Sequence, residues 1–198
     1  MSEYTPVAPD HVVTCDDAGN RLGTVRRSAV HTVETPLHLA FSCYLLDDAD
    51  RLLMTRRALV KKTWPGVWTN SFCGHLRWTE EAEDSLVRHA DHELGTRVRD
   101  VQVVLPEFRY RAVDASGVVE NEICPVYVAR VDGDLTPNPD EVAEHVWAPA
   151  AEVLAAVRAT PWAFSPWMVR QVSDAAAAAA EGGSPGARTL ATAFRLDD

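Results

Sequence analysis

Short apolar runs separated by turn residues fill the first two thirds of the chain, and longer helical patterns fill the remainder. His11-Val12-Val13-Thr14 and Arg21-Leu22-Gly23-Thr24-Val25 flank an Asp/Gly/Asn cluster, which predicts an N-terminal hairpin. A second hairpin is predicted from Leu39 to Leu46 and Arg51 to Thr55, turning at Asp47 to Asp50. From Arg56 to Gly74 runs a loop rich in Lys, Trp, Pro and Gly. Thr79 then reads as a helix N-cap followed by Glu80, Glu81 and Glu83, which suit the positive end of a helix dipole. Leu86, Ala90 and Leu94 recur every fourth residue, and Gly95 ends the pattern. A third hairpin is predicted from Val101 to Tyr110 and Val118 to about Val131. After the polar loop Thr136 to Asp140 come a short strand at Glu144 to Trp147 and helices at Ala151 to Val157 and Trp167 to Ala180. Gly182-Gly183-Ser184-Pro185-Gly186 breaks the last helix and predicts a loose tail for the final dozen residues. The pattern is that of an α+β fold, a mixed sheet flanked by helices.

The chain has 198 residues, 46% hydrophobic and 24% charged, which is ordinary for one globular domain. It has no run near the roughly 18 apolar residues a spanning helix needs, so membrane insertion is not expected. The net charge of −10 disfavours nucleic acid and anionic lipid as partners. An anionic substrate would have to be met by a local cluster of cations or by a metal. Cys15, Cys43, Cys73 and Cys124 show no CxxC spacing, and the opening MSEYTPVAPD has no basic region before an apolar core. A reducing cytoplasm is the expected compartment.

Three segments concentrate reactive groups: His31 to His38, Asn70 to His75, and Glu120 to Cys124. On a strand, Glu120 and Glu122 share one face, and Cys73 and His75 likewise point the same way. Paired carboxylates repel unless a metal lies between them or one holds a proton, although a solvated strand face gives the same spacing. Three histidines with two carboxylates suit a divalent transition ion.

Gly74, five residues, Glu80, seven residues, Arg88, then Glu93 and Gly95 resemble the Nudix box. His89 and His92 stand where that pattern has glutamates, which argues against a pyrophosphohydrolase and points to a fold turned to other work. For His89, one turn before Glu93, a solvated helix face is the favoured expectation, with contact to a diphosphate as the alternative. The segments HTVETPLHLAFS, TRRALVKKTWPGVWTNSFCGH, FRYRA, SGVVENEICPV and ATPWAFSPWM together resemble the type I isopentenyl diphosphate isomerases, from about Val12 to Gln171. That resemblance implies a single Nudix-fold domain over 1–198. Its core would span about 38–158, with an N-terminal extension over 1–37 and a C-terminal helix and tail over 159–198. The chain is expected to be a monomer acting on a small-molecule diphosphate.

Carried over by resemblance, His31, His38, His75, Glu120 and Glu122 match the family's buried site for a tightly held Mn²⁺ or Zn²⁺. Glu93 matches a residue serving a Mg²⁺ that bridges to the substrate diphosphate. Cys73 and Glu122 match the acid/base pair, with Tyr110 beside the glutamate. Arg57 and Lys61 match diphosphate-binding cations, Arg27 stands where the family has a lysine, and Trp167 matches an indole over the hydrocarbon. The implied reaction protonates C4 of isopentenyl diphosphate and removes a proton from C2, giving dimethylallyl diphosphate through a tertiary cation. Such a site must be dry, since water would trap the cation. The order within the pair stays open in the sequence; Glu122 as acid and Cys73 as base, a thiolate next to cations, is the favoured expectation.

Overall fold

A computed structural model describes residues 10–194. Eleven strands form one mixed sheet: β1 (His11–Cys15), β2 (Arg21–Arg26), β3 (His38–Leu46), β4 (Arg51–Arg57), β5 (Trp68–Thr69), β6 (Phe72–His75), β7 (Arg97–Leu105), β8 (Arg109–Val113), β9 (Val119–Ile123), β10 (Val126–Asp132) and β11 (Val142–Pro149). A helical turn, α1 (Arg27–Val30), follows β2, and α2 (Ala82–Leu94) lies between β6 and β7. The chain ends in α3 (Ala150–Ala159), α4 (Pro166–Ala180) and α5 (Pro185–Ala193).

Strand β3 is the spine. Eight of its nine residues are buried, as a near-continuous apolar run predicts for a strand covered on both faces. It runs parallel to β10, with Ser42 opposite Val126 and Leu46 opposite Arg130, and antiparallel to β6, with Ala40 opposite His75 and Ser42 opposite Cys73. Its first residues also run parallel to β9, pairing His38 with Glu122. The register of three strands therefore converges on the N-terminal end of β3.

Two cores lie about the sheet. Phe41, Cys43 and Leu45 pack with Leu86, Ala90 and Leu94 of α2, while Tyr44 and Leu46 pack with the C-terminal helices through Leu154, Met168 and Leu190. The alternation along β3 divides its side chains between the two.

The N-terminal hairpin forms as expected, and Gly95 caps α2 in the left-handed conformation at φ 59°. Several boundaries differ. Thr79 is not the N-cap: Arg21 donates to the carbonyls of Trp78 and Glu80, and Glu80 N–H bonds Arg77 O, so residues 77–80 form a pinned turn and α2 begins at Ala82. The second hairpin closes with Leu46 opposite Leu52, after which β4 pairs with β11. Pro106 and Pro125 fall where the third hairpin divides, into the tight β8–β9 hairpin and the longer β7–β10 ladder.

The expected loose tail is instead helical through Ala193. Ser184 caps α5 by accepting from Ala187 N–H, Pro185 occupies its first turn, and Ala187, Leu190 and Ala191 are buried. Ser-Pro, read as a breaker, here starts a helix. Residues 195–198 lie outside the described part.

Candidate active site

His38 opens β3, His75 closes β6, Glu122 lies near the end of β9, and His31 follows α1. One ligand atom from each of these four lies within 4.8 Å of every other. Ring centroids of the three histidines are 5.0 to 5.4 Å apart. Glu122 Oε1 is 3.3 Å from His38 Nε2 and 3.2 Å from His75 Nε2. His38 Nδ1 is fixed by the Pro36 carbonyl at 2.9 Å, which turns Nε2 toward the cluster.

Glu120 stands just outside this group. Its Oε2 approaches His31 Nε2 at 2.9 Å and its Oε1 accepts from Thr63 Oγ1 at 2.6 Å. His31 Nε2, His38 Nε2 and Glu120 Oε2 are buried with no partner in hydrogen-bond geometry. Buried polar atoms are normally paired, and orphaned ring nitrogens aimed at one point are what a cation site requires. The residues present therefore fit a divalent ion.

Burial and mutual contact shift the groups of this cluster. Burial pushes His75 down to about 4, so its ring is neutral and available as a ligand. Burial would raise Glu122, but the close contacts and charge of His38 and His75 hold it well below the usual carboxylate range. His38 is held above its usual value, because contact with Glu122 outweighs its burial.

Cys73, His75, Tyr110, Glu120, Glu122 and Trp167 line one cavity of about 390 Å³. Arg27, Arg57 and Lys61 line the same cavity and supply the local cations that an acidic protein needs to receive an anion. Arg27 and Lys61 both contact Glu141, while Arg57 donates to the carbonyl and hydroxyl of Thr63. Burial pulls Lys61 down to about 8, against the pull of Glu93 in the opposite direction. Tyr110 faces Glu122 across the β8–β9 register, and burial followed by the charge of Glu122 raises its phenol well above the usual value. Trp167, 3% exposed, packs against Trp64 and Tyr110, with the Arg57 guanidinium 5.2 Å from its ring centre.

Burial pushes the Cys73 thiol up to about 12, against the hydrogen bonds from Ser42 and Asn70 that lower it. One expectation is corrected. His89 is not on a solvated face: it is 4% exposed, its Nδ1 is 2.7 Å from Glu93 Oε1, and its ring lies where a Cβ on residue 74 would be, which explains Gly74. His92 does face solvent.

Glu93 stands apart from the four-ligand group. Burial would raise it, but His89 and then the charges of Lys61 and Arg27 keep it low. Glu141, Thr63 and Ser42 join the site without being singled out by the sequence, whereas Asn70 opens one of its three reactive segments. Ser42 and Asn70 carried a signal, being polar residues within or beside buried runs; Glu141, in a polar loop, carried none.

Comparison with known proteins fits this arrangement. The NUDIX domain family matches residues 36–168. The fold is shared with protein DR0079 of Deinococcus radiodurans (TM-score 0.64, 17% identity, 83% of this chain and 98% of that one). It is also shared with a MutT protein of Methanosarcina mazei Go1 (TM-score 0.54, 16% identity, 72% and 95%). Fold and domain thus define a Nudix protein. The isopentenyl-diphosphate Delta-isomerase of Agromyces mediolanus is 55% identical over 174 residues, covering 86% of this chain and 84% of its own. That of Paenarthrobacter aurescens is 56% identical over 161 residues, 81% and 88%. The chain belongs to the isopentenyl-diphosphate Delta-isomerase family of Nudix proteins.

Proposed function

We infer that the protein isomerises isopentenyl diphosphate to dimethylallyl diphosphate. The observation that carries this reading is one cavity lined by His31, His75 and Glu122 of the four-ligand cluster, by the Cys73 thiol and by the cations Arg27, Arg57 and Lys61. A pyrophosphohydrolase is disfavoured, since His89 and His92 replace two carboxylates of the Nudix helix.

In this reading Arg57, Lys61 and Arg27 take the diphosphate, with Glu141 releasing two of them from its contacts. Cys73 and Glu122 are the acid/base pair. One gives a proton to C4 and the other takes a proton from C2, so the C3–C4 double bond becomes C2–C3 with no net change in protons. Tyr110 packs beside Glu122, and Trp167 and Tyr110 present aromatic faces to the tertiary cation. These rings and Trp64 keep water from it.

His31, His38, His75 and Glu122 would hold a tightly bound Mn²⁺ or Zn²⁺, with Glu120 beside them. Glu93 would serve a Mg²⁺ that arrives with the diphosphate. When bound, these ions supply fixed positive charge that neutralises the diphosphate and sets the acidity of Glu122. The protein is proposed to work as a monomer in the cytoplasm; among the described residues no helix is long and apolar enough to cross a membrane.

The test is to incubate purified protein with isopentenyl diphosphate and Mg²⁺ and follow products by NMR. Dimethylallyl diphosphate without released phosphate is expected; inorganic phosphate or pyrophosphate as the product would contradict the reading.

A further inference from the structure

Asn70, between β5 and β6, is fully buried. A buried amide is tolerated only when its donors and acceptor are used. Its Nδ2 donates to the Cys43 and Phe72 carbonyls, both at 3.0 Å. Those partners only accept, so the amide cannot be turned over. Oδ1 is thereby directed to the other side, where it accepts from Trp167 Nε1 at 3.0 Å, a group that only donates. Cys73 Sγ lies 3.3 Å from Oδ1 and 3.2 Å from Nδ2.

An amide that merely stitched β3 to β6 would need its nitrogen alone. Here the oxygen, which also accepts from Thr69 Oγ1 at 2.9 Å, reaches the two groups that line the cavity, the thiol and the indole. A second link sets the same geometry: Gln171, one turn beyond Trp167 on α4, donates to Ser42 Oγ at 2.9 Å, and Ser42 Oγ is 3.2 Å from Cys73 Sγ. We propose that Asn70 is a positioning residue that fixes the Cys73 thiol and the Trp167 indole relative to each other through one planar amide. Its catalytic meaning rests on the isomerase reading above, but the coupling itself does not.

The test uses the full-length, metal-loaded protein with Asn70→Ala and the milder Asn70→Ser. A misplacement of about 1 Å costs on the order of 100-fold, so kcat should fall about 10- to 100-fold. KM for isopentenyl diphosphate should stay within about twofold, because the cations are untouched, and content of the tightly held metal should not change. Iodoacetamide labelling of Cys73, the partly exposed cysteine among four, provides a readout independent of turnover. Trp167→Phe, which deletes the indole N–H, should change that labelling rate several-fold, and the Asn70→Ser/Trp167→Phe double variant should lose less kcat than the product of the single losses. Folded Asn70→Ser with wild-type kcat, or labelling indifferent to Trp167→Phe, would overturn the proposal. A wild-type protein without isomerase activity would overturn the isomerase reading and leave the labelling result to judge Asn70.

Discussion

Arg88 holds both carboxylate oxygens of Glu80, Nε to Oε1 at 2.8 Å and Nη2 to Oε2 at 2.7 Å, and donates further to the His75 carbonyl at 3.0 Å. Two residues of the Nudix pattern are therefore spent on pinning the turn before α2 to the strand that presents His75. Burial would raise the carboxyl of Glu80, but Arg88 and the Arg77 backbone N–H bring it below its usual value. A carboxyl depressed in the folded state stabilises the fold above its unfolded pKa, and that stability is lost as pH falls through the folded value.

Glu80→Gln should accordingly cost about 1 kcal/mol at pH 7, because solvent partly screens this half-buried pair. Its denaturation midpoint should converge on that of the wild type as pH drops below about 4.5. Urea unfolding at pH 7 and pH 3.5 checks this. An equal gap at both pH values would remove the ion pair from the account.

Cys73→Ala and Glu122→Gln should each lower kcat by at least 10²- to 10⁴-fold, the range for general acid–base groups, with circular dichroism unchanged. Cys73→Ala retaining more than about a tenth of the wild-type rate would reduce the thiol to a packing role.

The two proposed metal sites should separate by mutation. His75→Ala deletes one of the four clustered ligands and should lower the content of tightly held ion in purified protein. Glu93→Gln lies outside that group and should keep the ion while raising the Mg²⁺ concentration needed for half-maximal rate. Elemental analysis showing wild-type metal in His75→Ala would contradict the ligand assignment.

Trp167 should act on the chemical step. A desolvated cation over an indole is worth about 2 kcal/mol, close to 30-fold in rate. Single-turnover rates should fall in the order Trp, Phe, Leu at position 167, at matched thermal stability. Equal rates would return Trp167 to the core that it also packs.

Much of this was legible in sequence because it rests on local pattern. Period-two spacing put Cys73 with His75 and Glu120 with Glu122, and the four-residue repeat of Leu86, Ala90 and Leu94 gave the buried face of α2. What was not legible depends on contacts between distant segments. Thr79 looked like a cap until Arg21 of β2 claimed the neighbouring carbonyls. Ser184-Pro185 looked like a breaker because nothing local shows that α5 will be buried against β7, where Gly186 lies under the Val103 carbonyl. The upward push on Cys73 and the downward pull on Glu122 follow from burial and from two histidines supplied by other strands. His89 seemed exposed because the gap that receives it is made by Gly74, fifteen residues earlier.

The central claim is that Cys73 and Glu122 move protons on the hydrocarbon while the diphosphate stays intact. Turnover of isopentenyl diphosphate in D₂O, read by NMR, tests it most directly. The account predicts dimethylallyl diphosphate carrying deuterium in the methyl group derived from C4, with incorporation falling at least 100-fold in Cys73→Ala and in Glu122→Gln. Substrate recovered without deuterium from the metal-loaded wild-type protein, or incorporation undiminished in the two variants, would contradict it.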